Sequence, residues 1–246
     1  MAKKAIQESE QRKLHTKSGN RCALCKMVLV DNEKEEVACI GENAHIYGEN
    51  PGSARYNDQL DDKYINSEQN LIFLCCNCHK KIDTEILLYP ANVLIDKKKE
   101  HEAWVIKSLE EQSVNFTFAE LQVLSDYLIN STSGTETPND LTLIKISDKI
   151  KRNKLEEVQK FVTMGLTNVS LVRSYINCNP DTNFSIRLTN SIVKTYNELK
   201  RKNSNPIDIF YSLWEITSGK QNDFLYKTAG LSILIYFFEE CEVFEK

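Results

Sequence analysis

The chain has 246 residues, 27% charged and 41% hydrophobic, which suits one large domain or two modest ones that each bury a core. Its formal net charge of −4 supplies no global basic field, which excludes indiscriminate attraction to polyanions but not a local basic site. No apolar run approaches the roughly 18 residues that span a bilayer, and Met-Ala-Lys-Lys opens the sequence with no apolar stretch behind it, so a cytoplasmic protein without a membrane partner is expected.

Residues 2 to 18 lack Gly and Pro and are rich in Lys, Glu, Gln and Ala, which predicts a helix that stops at Gly19. Cys22-Ala-Leu-Cys25 follows. Two β-prone runs, Met27-Val-Leu-Val30 and Val37-Ala-Cys-Ile40, flank the polar turn Asp31 to Glu36 and predict a hairpin leading to Ala44-His45-Ile46. Tyr47 to Gln69 contains Gly48, Pro51 and Gly52 and has neither helical nor strand period, as a long functional loop would. Asn70 to Leu74 returns as a short segment, and Cys75-Cys-Asn-Cys78 feeds a helix from about His79. Pro90 to Leu109, carrying Trp104, reads as a closing helix.

From Thr117 the pattern is helical throughout. The predicted helices are Thr117 to Ile129, Leu141 to Met164, Asn168 to Ile176, Phe184 to Lys202, Pro206 to Thr217 and Asp223 to Phe244. Phe184, Leu188, Ile192, Tyr196 and Leu199 form one apolar stripe at helical spacing. Asn130 to Asp140, with Ser, Thr, Gly134 and Pro138, reads as a linker. The fold class expected is α+β: a small mixed domain over residues 1–114, then an all-α domain over residues 117–246.

Six of the eight cysteines lie in the first third of the chain, a clustering that points to metal rather than disulfides. Two Cys-x-x-Cys pairs, Cys22 with Cys25 and Cys75 with Cys78, can converge into the tetrahedral four-thiolate site that structural zinc prefers. Cys76 sits inside the second pair and competes with it, but Cys75 and Cys78 have the required spacing. Cys39, Cys178 and Cys241 are expected to be small buried apolar groups.

Ala44-His45-Ile46, Asn70 ahead of Cys75-x-x-Cys78-His79, and Ile82-Asp83 resemble the HNH family of ββα-metal nucleases. More closely, Ser18-Gly-Asn-Arg-Cys22, the Ala-His-Ile triplet, Gly52-Ser-Ala-Arg55-Tyr56 and Leu74-Cys-Cys-Asn-Cys-His79 are similar to HNH effector nucleases of bacterial anti-phage systems, including those activated by cyclic nucleotides. The resemblance implies a DNA endonuclease in which His45 is the general base, His79 holds Mg²⁺ or Mn²⁺, and Asn70 stabilises the loop presenting the base. Many HNH enzymes carry Asp immediately before the first His as a second ligand, and this chain has Ala44 there, as the anti-phage relatives do. Asp83, four residues after His79 on one helix face, can be a ligand or can orient the imidazole; Glu42 is the other candidate. Arg55 and Lys80 are candidates for DNA phosphates. His15 and His101 stand among charges on expected helix faces and receive no function.

The segment Leu225 to Phe244, together with Asp208-Ile-Phe210, resembles the C-terminal domains of ABC-three-component defence systems. That resemblance implies an operon-encoded partner, an ABC-type or SMC-like ATPase, that restrains the nuclease. The same aromatic-rich stretch can instead be a homodimer interface or core. A homo-oligomer is expected, since HNH enzymes that break both strands often work in pairs. Two other readings stand beside the regulated effector: a restriction-type endonuclease acting alone, and a non-catalytic zinc adaptor that binds DNA.

Overall fold

The computed structural model describes residues 5–31, 38–112, 115–131, 145–219, 221–240 and 242–245. The chain forms two compact units, Met1–Ser108 and Leu109–Lys246, and the protein is α+β.

The first unit contains α1 (Glu8–Lys17), β1 (Val30–Asp31), β2 (Ala38–Cys39), β3 (Gly41–His45), α2 (Asp62–Ile65), β4 (Leu71–Cys75), α3 (Cys76–Thr84) and most of α4 (Ala91–Gln112). The first helix begins at Glu8, and Met1 to Lys4 lie outside the described residues. β1 and β2 form a short antiparallel ribbon, although residues 32–37, most of the expected turn and Val37, also lie outside. β3 pairs antiparallel with β4 in a register running from Gly41 opposite Cys75 to His45 opposite Leu71. β4 reads Leu-Ile-Phe-Leu-Cys and is buried along its whole length, the continuous apolar run of a strand covered on both faces. Around it pack Leu14, Leu29, Ala44, Ile46, Ile82 and Leu94. Phe73 stacks on the His15 ring at 4.1 Å between centroids, and His15 Nε2 lies 2.8 Å from Asn43 Oδ1.

The helix expected from His79 begins three residues earlier, at Cys76. Cys75 caps it, its sulfur accepting from the backbone N–H of Cys78 at 3.4 Å. The stretch Tyr47 to Gln69, expected to be structureless, holds α2 and opens a 3₁₀ turn at Glu68. Asp61 starts α2 by accepting from Tyr64 N–H at 2.6 Å. Glu68 is 3% exposed and lies between the ammonium groups of Lys17 and Lys98. Burial alone would raise its carboxyl pKa, but the two lysines outweigh that and hold it below the ordinary value. Elements of three or four residues carry no period, which is why only their caps betray them.

His101 corrects the sequence reading: it is 1% exposed, not on a charged helix face. Its Nε2 lies 2.9 Å from the carbonyl oxygen of Ser18 and its Nδ1 lies 2.6 Å from Lys26 Nζ. The carbonyl can only accept, so Nε2–H donates to it and Nδ1 accepts from the ammonium. Burial, then the Lys26 charge, pushes the His101 pKa down from 6.5 to about 4. A depressed histidine pKa contributes stability above the unfolded value and loses it as pH falls through the folded one. The first unit should therefore lose about 3 kcal/mol between roughly pH 6.5 and 4. Thermal melts across that window should show a steeper decline for the wild type than for His101→Gln; equal slopes would contradict the assignment.

The second unit contains α5 (Phe118–Ser131), α6 (Ile146–Arg152), α7 (Gln159–Leu166), α8 (Val169–Asn177), α9 (Phe184–Lys202), α10 (Pro206–Thr217) and α11 (Phe224–Glu239). α11 is apolar on every side and is packed by α5, α7, α8 and α10, so it is the core of this unit. The run Ala229 to Phe238 is largely buried there, which makes it core rather than an exposed dimer face. α7 crosses α11 at Gly165, where a Cβ would lie 2.4 Å from Ile235 Cγ1, so only glycine permits that approach. The helix expected over Leu141 to Met164 is interrupted: residues 141–144 lie outside the described residues, and Lys154, at φ 54°, turns the chain so that Leu155 is buried. Of the expected linker, Asn130 and Ser131 finish α5, and residues 132–140 lie outside. The last helix stops at Glu239, not Phe244, and Phe244 has φ 63°. Cys39 and Cys178 are exposed rather than buried, and Cys241 is outside the described residues.

Candidate active site

Two groups of side chains occupy the ends of the β3–β4 pair. The first is the cysteine cluster. Arg21 bridges Val28 across the Cys22–Cys25 turn, Cys22 N–H donates to Met27 O at 2.9 Å, and Ala23 N–H donates to Phe73 O at 2.9 Å, which docks this knuckle on β4. The ligand atoms of Cys22, Cys25, Cys75 and Cys78 then lie within 4.8 Å of one another. A regular tetrahedron with bonds of about 2.3 Å has edges of about 3.8 Å, and the Cys25 and Cys75 sulfurs are 3.8 Å apart. The donor set thus fits a tetrahedral thiophilic ion. Cys76 points away and is exposed. Burial raises the pKa of the Cys25 and Cys78 thiols; it would raise Cys22 too, but backbone amides of Cys25, Cys75 and Leu24 pull that thiol below its usual value.

The second group surrounds the two histidines. His45 closes β3, and His79 and Asp83 lie one turn apart on α3; together with Gly48, Glu49, Asn50, Ser53 and Ala54 they line one cavity of about 180 Å³. Gly48 is required at its wall, because a Cβ there would come 2.6 Å from the carbonyl oxygen of Ala54. His45 Nε2 lies 3.2 Å from Asn66 Oδ1. With Nε2–H donating to that amide oxygen, Nδ1 is the ring's basic atom.

His79 stands between two carboxylates. Its Nδ1 is 2.5 Å from Glu42 Oε2 and its Nε2 is 3.3 Å from Asp83 Oδ2. Glu42 precedes Ala44 by two residues in β3, so both point to one face of the strand. Glu42 thus brings a carboxylate to His79 from the strand face that Ala44 shares. The two carboxylates flank opposite edges of the ring, so one ring nitrogen with its neighbouring carboxylate offers a nitrogen and oxygen donor pair for a hard divalent cation, while the carboxylate at the other nitrogen orients the imidazole. Lys80 joins Glu42, Cys76, His79, Asp83 and Thr84 around an adjoining open pocket of about 510 Å³.

Asn70 is fully buried and acts as a latch. Its Oδ1 accepts from Tyr47 N–H at 2.9 Å, and its Nδ2 donates to the carbonyls of Tyr47 at 3.0 Å and Ile65 at 2.9 Å. The residue thus ties the chain after His45 to the end of α2, the helix capped by Asn66. Asn66 and Glu68 were not found from the sequence, where neither belongs to a periodic element.

Arg55 differs from its expected contact with DNA. Its side chain is 4% exposed, and it donates to Ile46 O, Ile82 O and Asp83 Oδ1, each at 2.7 Å. The guanidinium clips the loop after His45 to α3 and holds one Asp83 oxygen while the other faces His79; its donors are spent inside the protein. Arg55→Ala should leave two interior carbonyls unsatisfied and destabilise the first unit by about 3 kcal/mol. Lysine should not rescue it, since one ammonium cannot reproduce the planar fork. Thermal melts of the two variants check this, and an Arg55→Lys protein as stable as the wild type would refute it.

Among the described residues no helix is long and apolar enough to cross a membrane. A search of curated proteins gave no match to the chain. The model of the HNH endonuclease family matches residues 22–87, a span that begins at the first zinc-type cysteine and encloses the β3–β4 pair, both histidines and α3. The first unit therefore carries an HNH endonuclease domain, and the protein is an enzyme, a hydrolase that cleaves DNA.

Proposed function

We propose that the protein is a metal-dependent DNA endonuclease in which His45 is the general base, working in the cytoplasm as the effector of a bacterial anti-phage system. The observation that carries the catalytic part is the single cavity lined by His45, His79 and Asp83. A divalent ion such as Mg²⁺ or Mn²⁺, held by His79 with Asp83 or Glu42 while the other carboxylate orients the ring, would neutralise charge on the phosphate. His45 Nδ1 takes the proton of the attacking water as that water's oxygen bonds to phosphorus and one P–O ester bond breaks. Asn66 fixes the tautomer that leaves Nδ1 basic, Asn70 holds the strand end that presents the ring, and Arg55 orients Asp83. Lys80, at the rim beside His79, contacts a DNA phosphate. Cys22, Cys25, Cys75 and Cys78 would hold a structural zinc ion that ties together the two chain segments framing the cavity.

The helical unit resembles the C-terminal domains of ABC-three-component systems in Leu225 to Phe244, and this resemblance supports restraint by an operon-encoded ABC-type or SMC-like ATPase and assembly into a homo-oligomer. Its buried apolar run cannot be the docking face, so the partner binds other surface of that unit. Plasmid cleavage by the purified full chain, with and without the neighbouring operon product and with Mg²⁺ or Mn²⁺, tests the reading. Metal-dependent nicking or linearisation that appears only with the partner supports the regulated effector. Cleavage by the chain alone favours the restriction-type alternative, and no cleavage in any arm favours a zinc-stapled adaptor.

A further inference from the structure

The turn that joins α3 to α4, Glu85-Ile86-Leu87-Leu88-Tyr89-Pro90, takes no part in the site described above. Three consecutive large apolar side chains stand in water there: Ile86 is 41% exposed, Leu88 69% and Leu87 96%. Single exposed leucines are common on protein surfaces, but a run of three on one turn signals an occupant. The turn is held at both feet. Glu85 N–H donates to Lys81 O at 2.9 Å, and the Glu85 carbonyl accepts from Leu88 N–H at 2.9 Å and from Tyr89 N–H at 3.1 Å. Ile82 before it is fully buried, and Tyr89 after it packs on the core of the first unit, so the apolar tip is a fixed projection rather than a slack loop.

Its place in the chain ties it to the catalytic cavity. Asp83 and Thr84, the last residues of α3, line the pockets around His79, and the turn starts at the next residue. From His79 to Thr84 the helix rises about 8 Å, and three more residues reach at most about 10 Å. Leu87 therefore lies within about 18 Å of His79, about five base-pair steps of about 3.4 Å each. Lys80 lines the open pocket beside His79, and Lys81 Nζ lies 5.8 Å from the centre of the Tyr89 ring, so cations run from the cavity to the foot of the tip. The acids on this stretch are Asp83, engaged by Arg55 and His79, and Glu85, partly buried at the base of the turn.

From this placement we propose that Leu87 is a wedge that enters the base stack of duplex DNA within about five base pairs of the phosphate being cut, with Lys81 on a flanking phosphate. The inference rests on the reading of the first unit as a DNA nuclease whose cavity holds His45 and His79. The shape of the tip selects this occupant. A second copy of the chain would dock on a flat apolar patch, whereas three side chains on one tight turn make a point, and an opened base step is the cleft that buries a point. Unstacking is the cost of entry, so the wedge matters most on intact duplex and least where the stack is already broken. It also directs cutting toward pyrimidine–purine steps, which open most easily.

The test binds the full chain, with no Mg²⁺ or Mn²⁺ added so that DNA stays uncut, to short duplexes carrying 2-aminopurine, a base whose fluorescence rises when it is unstacked. Fluorescence should rise on binding; Leu87→Ser should abolish the rise and Leu87→Met should keep it. With the metal added, Leu87→Ser should slow cutting of intact duplex about tenfold but that of a duplex with a mismatch by about twofold or less. A side chain 96% exposed can be replaced without disturbing the core, and equal melting temperatures confirm it. No fluorescence rise with Leu87 in place, a rise that survives Leu87→Ser, or equal slowing on intact and mismatched duplexes would each overturn the wedge. So would a Leu87→Ser protein that behaves as the wild type on DNA but sediments as a monomer where the wild type is a dimer, which would give the tip to a second copy. The fluorescence arm does not depend on cleavage: a rise lost with Leu87→Ser, in a chain that cuts nothing, would support the wedge while favouring the zinc-stapled adaptor over the nuclease.

Discussion

Replacing His45 by alanine is expected to lower DNA cleavage by about 10²- to 10⁴-fold, the range that a positioned general base contributes, without lowering the melting temperature of the first unit. The structure separates the two effects. His45 ends β3 at the rim of the cavity, while the core at this place is built by its neighbours Ala44 and Ile46, which are 0% and 1% exposed. Truncating the ring removes one contact, to Asn66, and leaves β3 paired with β4. Asn66→Ala should produce a smaller loss than His45→Ala, because the ring stays in the cavity and only its tautomer and orientation are released. On the proposed reading, Glu42→Ala should raise the Mn²⁺ needed for half-maximal cleavage, and His79→Ala should raise it more, since His79 is the proposed ligand and Glu42 joins or orients it. If His45→Ala cleaved at the wild-type rate, His45 would not be the base, and the zinc adaptor would become the better reading of this unit.

Much of this site was legible in the sequence because its chemistry is tied to spacing. Two Cys-x-x-Cys pairs can be recognised without knowing the fold, and His79 with Asp83 at a helical interval predicts the shared face that α3 provides. What escaped is carried by geometry that has no period. Glu42 faces His79 only because β3 places it on the same side as Ala44, and a strand of five residues gives little pattern from which to read that alternation. Arg55 read as a surface cation because arginine usually is one. Its burial follows from three acceptors, two of them backbone carbonyls, that no sequence displays. His101 was misplaced for the same reason: its partners, Ser18 O and Lys26 Nζ, come from distant segments. In the helical half the stripe of α9 was clear, whereas the turn at Lys154 was hidden inside a window that looks continuously helical.

Removing the metal from the four-cysteine site is expected to unfold the first unit while the second stays folded. Structural zinc contributes about 10–16 kcal/mol of apparent binding free energy in small folded modules, and a whole domain is stable by about 5–15 kcal/mol, so an ion held by these four sulfurs would contribute on the scale of all that holds this unit together. Such an ion would matter more here than in most folds, since β3 and β4 span five residues each and the cysteines join the segment before the sheet to the strand that feeds α3. The second unit has its own core around α11 and carries none of these four cysteines. Treatment with a strong chelator, or Cys75→Ser, should therefore abolish one of two melting transitions, with most helical circular dichroism retained and cleavage lost. Cys76→Ser is the control: it removes a thiol one residue away that lies outside the cluster, and should leave both transitions intact. A Cys75→Ser protein that kept both transitions would mean that the four sulfurs converge without holding an ion that matters to the fold.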